Sequence, residues 1–470
     1  MVCRPDRCRR DGRRPVTSRS VVWFRRDLRL TDNPAWASAG AATDRVTALY
    51  VLDSTLLRGA GDYRRTQLFA HLHALDQSLR RRGGRLMVRS GEAEQVVPEV
   101  AAACGAQLVC ANADVTPYAR RRDGAVKEIL GSTFQRWWGN LVHAPGTVVT
   151  ARGHTSRVFT PFSSKWQQLP LPVWPHDVPR GVDDDPGEGV PALESEPFQP
   201  GGEDAAADRL LAFARRVDDY AQDRDIPAID GTSVLSADLR FGTLSPRTVV
   251  STIGTSSEGR AAFVRQLAWR DWYAHLLWEI PSLVDSPLRA DLADIAWENH
   301  PGDIAAWREG RTGYPLIDAG MRQLASTGWM HNRVRMATAS FLVKDLLVDW
   351  RIGEHWFRRL LVDGDVAQNA GNWQWVAGTG PDAAPYFRVF NPVLQSERFD
   401  PEGNYIRTFV PELAGLSTPW IHRPWTAPPM ELAEAGVTLG DSYPLPMIDH
   451  GFARTRAVAA YAEARQAARA

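Results

Sequence analysis

The sequence predicts two unlike halves: an α/β N-terminal domain built on a Rossmann-like parallel sheet, then an all-α C-terminal domain. Three observations predict this. Short apolar runs alternate with helical stretches over residues 20–147, the pattern of a parallel sheet covered by helices. The pattern breaks between about 148 and 200 into Pro, Gly and acidic residues, as in PLPVWPHDVPRGVDDDPGEGVPALESEPFQP, which reads as an interdomain linker. Beyond residue 200 apolar positions recur with helical spacing and strand-like alternation is scarce.

Taken in order, residues 1–19 carry seven Arg and no apolar core. They read as a disordered basic tail or a misassigned start, not as a secretory signal. Strands are expected at Val21 to Phe24, Thr47 to Leu52, Leu86 to Arg89 and Leu108 to Ala111. Between the second and third, Asp62 to Arg82 places Leu68, Leu72, Leu75 and Leu79 on one helical face, and Gly83 and Gly84 stop the helix. In the domain 201–470, Leu210, Leu211, Ala214 and Val217 share a face, Phe263, Leu267 and Trp269 to Leu277 form a second helix, and Val334 to Val348 reads as a near-continuous apolar helix.

The 470 residues are 44% hydrophobic and 23% charged, so the chain is a globular protein of two or three domains rather than a peptide or a disordered chain. No apolar run reaches the roughly 20 residues of a membrane helix. Four cysteines with no CxxC argue against a disulfide framework or a structural metal and for the reducing cytoplasm. Basic and acidic residues balance at 55 each, so a nucleic-acid site requires a local patch. The balance is uneven: 24 basic against 14 acidic residues up to 147, and 27 against 34 after 200. Of 18 Trp, 12 follow residue 200. Neither a GxGxxG nor a GxxxxGK[ST] motif is present.

The stretch 363–375 packs Asp363, Asp365, Asn369 and Asn372 beside Trp373 and Trp375. Polar groups among buried aromatics are costly unless hydrogen-bonded. The stretch therefore either wraps a polar ligand with a flat ring or forms a helix cap and a packed loop. In YAQDRDIPAIDGTSVLS (220–236), Gly231, Thr232, Ser233 and Ser236 precede a helical stretch. Backbone N–H groups and hydroxyls there suit a phosphate, or simply cap the helix.

Eight segments resemble the photolyase/cryptochrome family of flavoproteins and follow its order over about residues 20–465. They are VVWFRRDLRLTDNPAW, RVFTPFSSKW, YAQDRDIPAIDGTSVLS, QLAWRDWYAHLL, GYPLIDAGMRQL, GWMHNRVRM, GDVAQNAGNWQW and DAAPYFRVFNP. Within the family the chain is most like the class I enzymes that repair cyclobutane pyrimidine dimers.

The resemblance implies a folded FAD in the helical domain. Tyr220, Thr232, Ser233, Val234, Leu235, Ser236 and Arg270 would serve it, Arg335 would pair with Asp363 across the flavin, and Asp365 would lie near the ring's polar edge. Asn369 matches the position facing flavin N5, where a neutral amide favours a reduced anionic flavin. Trp373, Trp350 and Trp297 match a chain that carries electrons to the oxidised flavin, which requires rings with centroids about 4.5–7 Å apart.

For substrate, the resemblance implies UV-damaged DNA flipped into a pocket of Arg224, Gln266, Trp269, Asn332, Arg333, Met336 and Trp375, with Arg224, Arg333, Arg388 and Arg398 as a basic rim. Gln266 departs from the family's usual Glu. It can hydrogen-bond a pyrimidine but cannot act as an anion or supply a carboxyl proton. Enzymes for the (6-4) lesion carry Gln there, yet they need a second histidine after His331, where this chain has Asn332. A second, antenna chromophore, a deazaflavin or a folate, is also implied, with ADVTPYARRRD (113–123) nearer the deazaflavin pattern. The expected function is light-driven dimer repair by electron transfer from reduced FAD, in a monomer. A cryptochrome-like photoreceptor is the alternative.

Overall fold

The computed structural model describes residues 18–469 except Pro175, Asp177, Ala384 and Tyr386. The basic tail expected at 1–19 therefore lies almost entirely outside the described residues. The sheet comprises β1 (Arg19–Phe24), β2 (Arg45–Leu52), β3 (Leu86–Ser90), β4 (Leu108–Asn112), β5 (Phe134–Trp137) and β6 (Gly181–Val182). The order is β3-β2-β1-β4-β5, with all pairs parallel. The chain leaves β1 towards one edge and returns to its other side at β4. A crevice therefore opens at the carboxyl ends of β1 and β4, where this class of sheet binds ligands.

The four expected strands form, because Val and Leu side chains buried on both faces suit a parallel sheet. β5 and β6 were not expected. β5 buries only Phe134 fully among its four residues, and β6 is two residues long inside the Pro-rich stretch, pairing with Arg45 and Val46 just before β3 begins to pair at Ala48. The stretch 148–200 is thus more than a linker. It also holds the helix Phe159–Gln168, which buries Phe159, Phe162 and Trp166 in the helical core.

The helix over Asp62–Arg80 forms as expected and ends in a turn where Gly83 has φ 77°. The segment Val334 to Val348 is not one regular helix. The helix Asn332–Ser340 passes into a π-turn at Phe341–Asp345, followed by Leu347 at φ 50°. That turn buries Lys344 and Asp345, and Asp345 is met by His450 at 2.5 Å from the C-terminal helix His450–Ala467.

The helical domain is built on Glu258–Glu279, Pro315–Thr327, Trp350–Leu360 and Val366–Ala377. Its tryptophans are structural mass: Trp272, Trp307 and Trp350 are each at most 1% exposed. Each removes roughly 150–250 Å² from water, about 4–6 kcal/mol before entropy. The domains meet closely where the loop after β1 crosses the helix Ser236–Phe241. Gly242 ends that helix at φ 69°, and a Cβ there would sit 1.9 Å from the Arg26 carbonyl oxygen. Only glycine satisfies both the backbone angle and the approach.

Candidate functional site

Two cavities flank this junction. The first, about 450 Å³, lies within the helical domain. Its deep end is polar but fully organised. Arg335 binds Asp363 through both guanidinium nitrogens, at 2.8 and 3.2 Å, and donates Nε to the Met330 carbonyl at 2.8 Å. Such a fork is planar and rigid. Asn369, on Val366–Ala377, donates Nδ2 to both the backbone and side-chain oxygens of Glu354, at 2.8 and 2.9 Å. With both amide hydrogens spent, it has only its carbonyl oxygen left to offer, while burial pushes the Glu354 carboxyl up.

Asp365 caps the same helix, accepting from Gln368 N at 3.0 Å, and also accepts from Arg26. Its carboxyl lies below the usual range: burial opposes this, but the guanidiniums of Arg26, Arg240 and Arg270 outweigh it. Two glycines shape the walls. A Cβ at Gly353 would meet the Trp373 ring at 2.1 Å, and one at Gly371 would meet the Tyr273 ring at 2.2 Å. Tyr273 lines the cavity, and its hydroxyl is buried without a hydrogen-bond partner.

The outer end is aromatic and amide-bearing. Trp269 and Trp375 are half-buried and Asn332 and Asn372 exposed. Trp269 stacks on Phe159 with centroids 3.7 Å apart and planes within 13°. Gln266 donates Nε2 to the Ala262 carbonyl at 3.1 Å, which leaves its oxygen as a neutral acceptor.

Of the residues expected from sequence, this cavity gathers Arg224, Ser236, Gln266, Trp269, Arg270, Asn332, Arg335, Met336, Asp363, Asp365, Asn369, Trp373 and Trp375. Others stand elsewhere. Tyr220, Thr232, Ser233, Val234 and Leu235 are off the cavity wall: Tyr220 packs on Phe213 and Phe263, Leu235 is core, and Val234 holds φ 51°. Arg333 is at the rim rather than in the pocket, bound to Asp225 at 2.8 Å and stacked 4.3 Å over Phe399. Arg398 stacks on the same ring, and Arg224 approaches the same Asp225. Arg224, Arg333 and Arg398 are therefore one cluster, and Arg388 is exposed on a neighbouring loop.

The expected near contact along Trp373, Trp350 and Trp297 is not among the ring pairs of the described residues. Trp373 contacts Trp307 at 6.3 Å and Phe357 at 5.0 Å, and Trp297 contacts Tyr461 at 6.0 Å. Tyr273, Arg240 and Gln368 line this cavity and were not singled out from the sequence.

The second cavity, about 790 Å³, occupies the crevice at the carboxyl ends of the strands and is closed by the helical domain. Asp53 and Tyr118 hydrogen-bond each other on one wall, where Asp53 also caps the helix Ser54–Arg58. Arg358 and Arg359 approach from the other side. Nine arginines face it against three carboxylates, so its field favours an anionic or electron-rich ligand. Among the described residues no cluster could hold a metal ion and no helix is long and apolar enough to cross a membrane.

A parallel sheet with a ligand crevice, joined to a helical domain whose cavity pairs an arginine–carboxylate fork with an aromatic mouth, defines a two-domain flavoprotein. The buried Tyr273 hydroxyl, the acceptor-only Asn369 and the Arg335–Asp363 fork fit a large, planar, hydrogen-bonding cofactor such as FAD. Comparison with known proteins agrees. Residues 263–463 match the family model described as the FAD binding domain of DNA photolyase, and residues 20–180 match that of DNA photolyase. The chain belongs to the photolyase/cryptochrome family.

A deoxyribodipyrimidine photo-lyase of Agrobacterium fabrum is 41% identical over 95% of this chain and 98% of its own. A class III photolyase of Agrobacterium tumefaciens superposes with TM-score 0.91 at 39% identity, covering 97% of this chain and 99% of that one. An archaeal photolyase of Sulfolobus tokodaii with two FAD molecules gives 0.83 at 33% identity, with coverage of 95% and 100%. A Synechocystis cryptochrome gives 0.85 at 30% identity, with coverage of 95% and 99%. The class I expectation is not supported, since the structure with TM-score 0.91 is of class III.

Proposed function

We propose that the protein repairs cyclobutane pyrimidine dimers in UV-damaged DNA, driven by light. The observation that carries this is the single cavity with two ends: a rigid polar end at Arg335, Asp363 and Asn369, and a mouth walled by Trp269 and Trp375. FAD bound in reduced form supplies the light absorption and the electron that opens the cyclobutane ring. The protein binds and orients. The Arg335–Asp363 fork would fix the ring, and the Asn369 carbonyl suits a ring N–H, which reduced flavin carries at N5.

At the mouth, Trp269, braced on Phe159, and Trp375 replace the stacking a flipped pyrimidine pair loses, worth about 1–3 kcal/mol per base. Asn332 and the Gln266 oxygen offer hydrogen bonds to pyrimidine edges. The cluster of Arg224, Arg333 and Arg398 meets the phosphates, so a domain that is acidic overall still carries a basic rim. The interdomain cavity would take the second chromophore, a deazaflavin or a folate, since its arginine surplus suits either. Trp297, Trp350 and Trp373 would carry electrons inward only if they couple beyond ring contact.

The test incubates flavin-reduced protein with an oligonucleotide holding one thymine dimer, in light and in darkness. Repair in light alone is expected. FAD-loaded protein that repairs neither this lesion nor a (6-4) product would favour the photoreceptor reading.

A further inference from the structure

The wall between the two cavities is one residue thick: Arg240 and Gly364 line both. Arg26 crosses it. This residue belongs to the N-terminal domain, two positions beyond β1, and it lines the interdomain cavity. One guanidinium nitrogen bonds Asp365 on the flavin-side wall, the other donates to Asp114 at 3.2 Å, and Nε donates to the Arg240 carbonyl at 3.3 Å.

Two further arginines stand near Asp365, but they are committed elsewhere. Arg240 donates Nε to the Gly364 carbonyl at 2.8 Å, and Arg270 donates to the carbonyls of Asn140 and Leu239 at 2.6 and 3.1 Å. Among the described residues Arg26 is the one cation hydrogen-bonded to this carboxylate. The pair is largely out of water, with side chains 18% and 12% exposed, where an unpaired carboxylate is costly. The other Asp365 oxygen caps the helix that carries Asn369, Trp373 and Trp375.

We propose that Arg26 is a positioning residue of the flavin site: reaching across the domain junction, it orients and neutralises Asp365 and so favours the reduced, anionic state of the cofactor. The proposal rests on the FAD reading. Removing the guanidinium leaves a negative charge facing the cavity, which opposes a second negative charge on the ring.

The test measures the affinity of apoprotein for oxidised and reduced FAD, together with the midpoint potential, for wild type, Arg26→Gln, Arg26→Lys, Asp365→Asn and the double variant. Arg26→Gln is expected to lose about tenfold in preference for reduced over oxidised flavin, a midpoint lower by about 30 mV for a two-electron couple. Arg26→Lys should restore most of the shift. In the Asp365→Asn background Arg26→Gln should add nothing, because the two act as one unit. Melting curves identify any variant that fails to fold, and the lysine and double variants then carry the test. An unchanged potential in Arg26→Gln, or an equal shift with and without Asp365, would overturn the proposal while leaving the FAD reading intact. A wild-type chain that binds no FAD would overturn both.

Discussion

The helical cavity and the interdomain cavity border the same residues but are built on opposite principles. In the helical cavity each charge has an assigned partner: Arg335 with Asp363, Asn369 with Glu354, Asp365 with Arg26. In the interdomain cavity arginines outnumber carboxylates three to one, and Arg121 and Arg359 are exposed. A site that must hold one ring in one geometry spends its polar groups on one another. A site that only retains a light-absorbing ligand within reach can leave charge free to attract it. Changes at the first cavity should therefore be severe and specific, and changes at the second mild.

The largest effect is expected at the fork. Asp363→Ala strands the Arg335 guanidinium beside the cavity, and breaking a largely buried pair costs about 3–5 kcal/mol. Flavin retention, read from visible absorbance per protein, should fall by two orders of magnitude or more. A variant retaining full colour would mean that the fork does not hold the ring.

Next, Trp375→Ala should weaken binding of a dimer-containing oligonucleotide about 10- to 100-fold with flavin content unchanged. Equal weakening for undamaged DNA would move Trp375 out of the lesion pocket.

Gly371→Ala forces a Cβ into the Tyr273 ring. Overpacking of this kind costs about 1–3 kcal/mol, and the melting temperature should drop by several degrees.

Acid should act on both halves alike. Burial lowers His71 to about 3 and His331 to about 4, so both are neutral when folded. The unfolded chain binds their protons near pH 6.5. Stability is thus fully present above that value and falls by about 1.4 kcal/mol per histidine per pH unit down to pH 4. Melting temperatures from pH 7.5 to 4.5 check this, and His71→Gln should flatten the decline.

The smallest effect is expected at the interdomain cavity. Tyr118→Phe removes the partner of Asp53 and should lower only the antenna contribution to an action spectrum. Loss of flavin binding in this variant would erase the contrast between the cavities.

The same contrast explains what the sequence disclosed. The helical cavity draws its deep end and mouth from a few continuous stretches, 266–273, 332–336 and 363–376; the last read as a ligand site or a capped, packed loop from its acids, amides and tryptophans, and the other two entered only through the family resemblance. The contacts of Arg26 with Asp365 and of Arg240 with Gly364 were invisible in the sequence because the partners lie 339 and 124 positions apart. The interdomain cavity is assembled from strand ends, the helix after Thr116 and the helix Trp350–Leu360, and of these only the stretch 113–123 was singled out in the sequence for the second chromophore. The strands of the sheet core were readable from their apolar runs. β5 and β6 were not, because a two- to four-residue strand owes its state to its neighbours rather than to its own pattern. The π-turn at Phe341–Asp345 hid within an apolar run, since periodicity registers side-chain burial but not a change of hydrogen-bond step.

The account's central claim is that one cavity holds the flavin at its deep end and receives the damaged pyrimidines at its mouth. The direct measurement is the absorption spectrum of the FAD-loaded protein titrated with an oligonucleotide bearing one thymine dimer. The account predicts a saturable shift of the flavin bands with the dimer, none with the undamaged strand, and loss of the shift in Trp269→Ala/Trp375→Ala. Dimer binding that leaves the flavin spectrum untouched, or that survives removal of both tryptophans, would contradict it.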